Sequence, residues 1–170
     1  MKRVLSAFCC LALTAVPALA QKKAAAAAPA MTNQQFVDFA AQTDMVEVDL
    51  GQLAQDVAAL QLVKDYGQML VTDHTNDFAQ LHVAAQQANL TVPGGIDAEN
   101  VKTTIAPFHK LKGEAFDHRY IHEMVVGHTK AIEIYKKEAA DAQNPAVKSY
   151  AEAALPVLQK HLEHAKALQK

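Results

Sequence analysis

Residues 144–169 read NPAVKSYAEAALPVLQKHLEHAKALQ. Asn144 is a good helix N-cap, and Pro145 suits the first helical position, where its missing N–H would have had no partner. Val147, Ala151, Ala154, Leu158, His161, Ala165 and Leu168 then follow in steps of three and four, the spacing of one helix face. The stretch predicts a helix from Pro145 to about Gln169. Pro156 falls inside it and removes a backbone donor, so a kink is expected there. The seam is apolar except for His161, near its middle.

The same pattern recurs three times upstream. Thr32 and Gln35 form a capping-box pair ahead of a helix running to about Ala58, with a seam of Phe36, Ala40, Thr43, Glu47, Leu50, Ala54 and Val57. A second helix is expected from about Leu60 to Asn89, with Val63, Gly67, Leu70, His74, Asp77 and Leu81 on its seam. A third runs from about Glu114 to Ala142, through Ile121, Met124, His128, Ala131 and Tyr135. Between the second and third lies Val92-Pro93-Gly94-Gly95, the clearest turn in the chain. A shorter helix is expected from Asp97 to Lys112, disturbed by Pro107 and stopped at Gly113. These elements predict an all-α fold: two antiparallel helical hairpins joined by a long crossover, as in ferritin-like four-helix bundles.

The composition agrees. Of 170 residues, 6 are Gly and 6 are Pro, too few for a many-turned β fold. A net charge of −2 with dispersed basic residues offers no general surface for nucleic acid. The 2 cysteines, Cys9 and Cys10, cannot make a disulfide scaffold or a four-Cys zinc site. The serines are Ser6 and Ser149, and neither stands in a nucleophile motif.

Residues 1–20 read as a cleaved secretory signal. Met1-Lys2-Arg3 is basic, Val4 to Val16 is apolar, and Pro17-Ala18-Leu19-Ala20 ends in small-x-small. Cleavage after Ala20 would remove both cysteines. Residues 21–31 are mostly Ala and read as a flexible tether, leaving 32–170 as the bundle domain. No second apolar span is present, so no integral membrane segment is expected after cleavage. The expected location is the periplasm or cell envelope.

Each seam carries one candidate metal ligand: Glu47, His74, His128 and His161. In an antiparallel hairpin, two residues are level when their midpoint falls at the turn. The midpoint of Glu47 and His74 falls between Leu60 and Gln61. That of His128 and His161 falls between Asn144 and Pro145. Four polar groups converging in one buried layer need a shared partner, because a buried carboxylate costs several kcal/mol unless it is paired or metal-bound. One carboxylate and three imidazoles suit one Zn, Cu, Fe or Mn ion, and no organic cofactor is expected. Asp73 is placed to orient a ligand imidazole, Met124 to serve as a weak soft ligand one turn before His128, and His164 to approach beside His161. His118 and His122, four apart with Glu114 one turn earlier, read as a solvated face, and His82 and His109 as exposed. Asp117 lies about 16 Å along the helix from His128 and is expected to accept hydrogen bonds in the first turn of its own helix.

Four strings resemble the signatures of the domain of unknown function 4142 family: Glu47-Val48-Asp49-Leu50-Gly51, Val71-Thr72-Asp73-His74, Ala115-Phe116-Asp117-His118-Arg119-Tyr120, and Leu155-Pro156-Val157-Leu158-Gln159-Lys160-His161. The resemblance spans about Phe36 to Leu168. It implies an exported bacterial protein of ferritin-like fold, a family often described as outer-membrane, and no assigned function. None of the eight His has Asp or Glu three residues before it, so the paired Glu-x-x-His of di-iron proteins is missing.

The expected function is metal handling or envelope stress tolerance, with a metal ion as partner and no catalytic residues assigned. The alternative is a non-catalytic structural or interaction module of the envelope, its core fixed by a Glu–His polar network. A third reading, a mononuclear metalloenzyme, would draw on Tyr120 and Asp73.

Overall fold

The structure, a computed structural model, describes residues 31–169. The expected signal, residues 1–20, and all but the last residue of the expected tether lie outside those residues. Among the described residues the fold is all-helical, without strands. Four long helices dominate: α1 (Asn33–Val57), α2 (Gln61–Ala88), α4 (Glu114–Asp141) and α5 (Pro145–Leu168). The crossover carries a single turn, α3 (Ala98–Asn100), a wide turn at Val101–Ile105 and a tight one at Phe108–Lys110. Pro107 opens that tight turn, so the expected helix from Asp97 to Lys112 is broken where proline demanded it.

The ends of the long helices follow their local chemistry. Thr32 Oγ1 accepts from the Gln35 N–H at 3.2 Å, and Gln35 Oε1 accepts from the Thr32 N–H at 2.8 Å, closing the expected capping box. Asn89 closes α2 in the left-handed region at φ 56°. The Asn144 side chain accepts from Ala146 and Val147 N–H. Helix α5 runs on through Pro156.

The α1–α2 turn contains neither Gly nor Pro, and a residue distant in sequence holds it. Asp117 accepts from the Ala59 N–H at 3.0 Å and from the Leu60 N–H at 2.9 Å. The expectation that Asp117 serves its own helix is thereby corrected: its carboxylate caps the start of α2, which has no side-chain cap of its own. The exposed turn is thereby tied to a buried carboxylate, Asp117 being 6% exposed.

Helices α1 and α2 pack as one hairpin, α4 and α5 as the other, and α2 packs on α5. The crossover descends the length of α1. Gln34 bonds to Thr91, Gln42 to Gly95 and Asp97, and the Gly113 N–H reaches Val57 O at 2.8 Å. At the α1–α2 contact, a Cβ on Gly51 or on Gly67 would stand 2.8 Å from the other glycine's carbonyl oxygen. Only glycine permits this approach.

The core divides into two apolar clusters. One contains Phe36, Ala41, Leu81, Ala131, Tyr135, Ala151 and Leu158. The other contains Val46, Leu50, Leu70, Phe116, Tyr120, Met124 and Ala165. On every long helix a buried polar residue falls between the two. Asp44 lies between Ala41 and Val46, His74 between Leu70 and Leu81, His128 between Met124 and Ala131, and His161 between Leu158 and Ala165. The hydrophobic core is thus interrupted by one polar layer.

Candidate metal centre

His74, His128 and His161 come from three different helices and meet in this layer, each no more than 2% exposed. Their ring centroids lie 5.2 to 5.9 Å apart. One ring nitrogen of each lies within 4.8 Å of one from each of the others. Helix α1 closes the layer with Asp44, 1% exposed, and Glu47, 7% exposed.

The hydrogen bonds fix which nitrogens face inward. His74 Nδ1 is 2.8 Å from Asp44 Oδ1. His128 Nδ1 is 2.9 Å from the Met124 carbonyl oxygen. His161 Nε2 is 2.9 Å from Asp73 Oδ2. A neutral imidazole has one N–H and one bare nitrogen. An oxygen acceptor outside each ring draws an N–H outward, so His128 Nε2 and His161 Nδ1 are left with lone pairs toward the interior, and His74 Nε2 joins them once the Asp44–His74 pair gives up its extra proton. His128 Nε2 and His161 Nδ1 are 3.3 Å apart. His74 Nε2 is fully buried and makes no hydrogen bond. Two ligand nitrogens on one tetrahedral metal at about 2.05 Å would be about 3.4 Å apart; the His128–His161 pair stands at that separation, and all three rings have a nitrogen within 4.8 Å of the others. The donor set therefore fits a metal ion, with carboxylate or carbonyl oxygens orienting the rings from behind.

Electrostatics keep two of these rings neutral. His128 is lowered to about 3, first by burial and then by the charges of His74 and His161, against the Met124 carbonyl. His161 is lowered to about 4 by burial, reinforced by His74 and Lys160 and opposed by Asp73. His74 behaves differently. Burial is its largest influence and lowers it, but the Asp44 hydrogen bond and the charges of Glu47, Asp44 and Asp77 together raise it. Burial lifts Asp44 to about 7 despite its bond to His74. The Asp44–His74 pair consequently retains a proton near neutrality.

His74, His128 and His161 come together. Glu47 sits beside them, within electrostatic reach of His74, with Oε2 buried and unpartnered. Its carboxylate is raised by burial, against the pull of His74. Asp73 orients His161 on a facing helix rather than its neighbour His74. Met124 contributes its backbone carbonyl to His128, and its side chain is packed in the apolar core. His164 is exposed and lines a separate surface cleft with Tyr66 and Met69. His82, His109, His118 and His122 are exposed.

Sequence reasoning missed Asp44. It placed Thr43 on the seam, but the Thr43 hydroxyl bonds back to the Phe39 carbonyl while Asp44 points into the core. The signal was available: Phe36-Val37, Ala40-Ala41 and Asp44 continue a stripe two residues wide. Also missed was the reach of Asp77, which accepts from the Tyr150 hydroxyl at 2.6 Å and raises His74 through its charge.

Fold and site together define an all-helical protein with a buried three-histidine cluster of metal-binding geometry. The chain belongs to the family described as Domain of unknown function (DUF4142), whose model matches residues 18–168. No curated protein matches it significantly. Two solved structures share the fold. CopM in the Ag-bound form aligns with TM-score 0.61 at 15% identity, over 81% of this chain and 94% of that one. CopM in the Cu(II)-bound form aligns with TM-score 0.61 at 14% identity, over 83% and 97%. Among the described residues no helix is long and apolar enough to cross a membrane.

Proposed function

We propose that this chain is an exported, one-crossover bundle of ferritin-like architecture that holds one transition-metal ion in its core, for metal handling or tolerance of metal stress in the cell envelope. His74, His128 and His161 are the ligands, Glu47 is the fourth donor, and Asp44, Asp73 and the Met124 carbonyl orient the rings. The observation that carries this reading is the orientation of the imidazoles. All three turn one ring nitrogen inward, and among the described residues none bonds to His74 Nε2. A donor set of three imidazoles and one carboxylate suits Cu and Zn better than Mn, which prefers oxygen. The shared fold of a protein solved with Cu(II) and with Ag lends weight to copper.

Export rests on the signal-like residues 1–20, with residues 21–31 as tether and 32–170 as the domain. The location that follows is the periplasm or envelope. The test is elemental analysis after exposure to Cu, Zn, Fe and Mn in turn, followed by dialysis. One ion per chain is expected. A chain that emerges metal-free from all four is the alternative, a structural module whose polar layer only fixes helix register. The 2.8 Å contact of His74 Nδ1 with Asp44 Oδ1 is the observation that favours that alternative, since it partners two buried polar groups of the layer without an ion.

A further inference from the structure

A cleft of about 330 Å³ opens between α1, α4 and the crossover. Its wall includes Glu47 and His128, with Thr43, Thr104, Gly127 and Leu158 around them. This cleft has an imidazole of the cluster in its wall, whereas three further clefts reach carboxylates or the exposed His164. Glu47 lies in the same wall with a buried oxygen that no donor satisfies.

Gly127 supplies an independent observation. It is mid-helix in α4, where glycine weakens the helix relative to alanine. Gly51 and Gly67 have a steric reason, the helix contact described above. Gly127 has none: a Cβ built there meets nothing within 4 Å. What its missing side chain leaves is open space in the cleft wall, one residue before His128.

Resting on the metal-centre reading, we infer that this cleft is the route by which a metal cation reaches and leaves the three histidines. Glu47 is the first core donor a cation meets, and Gly127 and Thr104 border the passage. The exchanged species is a small metal cation, because the wall of the cleft offers it one carboxylate and one imidazole, Glu47 and His128.

A plug in a passage differs from damage to a site. It slows loading and stripping by the same factor and leaves affinity unchanged. The test uses the full chain carrying Cys9→Ser and Cys10→Ser, so that no thiol competes. Cu(I) is transferred from a chromophoric chelator, and loading rate, stripping rate and equilibrium affinity are read for Gly127→Leu, Thr104→Phe and the control Val126→Phe, at an exposed position outside the cleft wall. The two variants in the wall are expected to slow both rates by about tenfold with affinity kept, and Val126→Phe to match the parent. Parent-like rates in wall variants whose circular dichroism is native overturn the route. Lost affinity without slowed loading overturns it too. A parent chain that takes up no Cu(I) overturns the metal centre itself, and the route with it.

Discussion

His128 Nε2 faces His161 Nδ1 across 3.3 Å, and each ring has its other nitrogen on an oxygen acceptor. Turning either ring to the other tautomer would set a bare nitrogen against a carbonyl or carboxylate oxygen. The two lone pairs therefore face one space, at about the separation of two ligands on one cation. His74 Nε2 supplies the third side of the same space.

Removing a ligand and removing its support should differ in degree. His128→Ala is expected to abolish tight binding. Asp73→Asn and Asp44→Asn should each weaken it by about 10–100-fold, because they loosen a ring without removing it. His164→Ala and His118→Ala should leave affinity unchanged, since both residues are exposed and outside the cluster. Competition titration against a chelator of known affinity distinguishes the three classes.

The hairpins, the turn at Asn144-Pro145 and the level pairs were legible because helical spacing converts sequence distance into depth. Counting residues to each turn levelled Glu47 with His74 and His128 with His161; that the two pairs share one layer depends on how the hairpins dock, which counting does not reach. The direction of each ring was not legible. It depends on acceptors from the next turn or the facing helix, as with Met124 behind His128 and Asp73 behind His161. Asp44 escaped for a related reason. A stripe drawn in single steps of three and four follows one line of a helix, whereas α1 buries two adjacent lines.

The α1–α2 contact should be intolerant of a single methyl group. In Gly51→Ala the new Cβ would stand 2.8 Å from the Gly67 carbonyl oxygen and 2.9 Å from Val71 Cγ2. Relief requires the helices to separate, at a cost of about 1–3 kcal/mol. Gly127→Ala should instead gain about 0.5–1 kcal/mol, because helix propensity improves and nothing is displaced. Urea unfolding of the metal-free chain reads both, and equal effects would show that the close approach is not a constraint.

Asp117→Ala should destabilise through the α1–α2 turn, not through α4. It strips the acceptors from the Ala59 and Leu60 N–H groups. The expected loss is about 2–4 kcal/mol, for two charge-assisted bonds at a site 6% exposed. Hydrogen exchange should locate the change: amides at Ala59 and Leu60 lose protection while the middle of α4 keeps it. Uniform loss along α4 would assign the carboxylate to its own helix after all.

Metal affinity should rise with pH, and the sign follows from where the protons sit. His128 and His161, lowered to about 3 and about 4, are already neutral at pH 6 and have no proton to release. Asp44, lifted to about 7 by burial, and His74, raised by Asp44 and its acidic neighbours against burial, still hold one between them. A cation taking His74 Nε2 must displace that proton. Affinity should accordingly climb about tenfold per pH unit between pH 6 and 7 and flatten above, as the pair empties on its own. Asp44→Asn removes the carboxylate that helps hold the proton, so its slope over the same interval should be shallower. Calorimetry in buffers of different ionisation enthalpy counts the protons directly. About one per ion is expected at pH 6, and none at that pH would mean that His74 is already neutral in the metal-free chain.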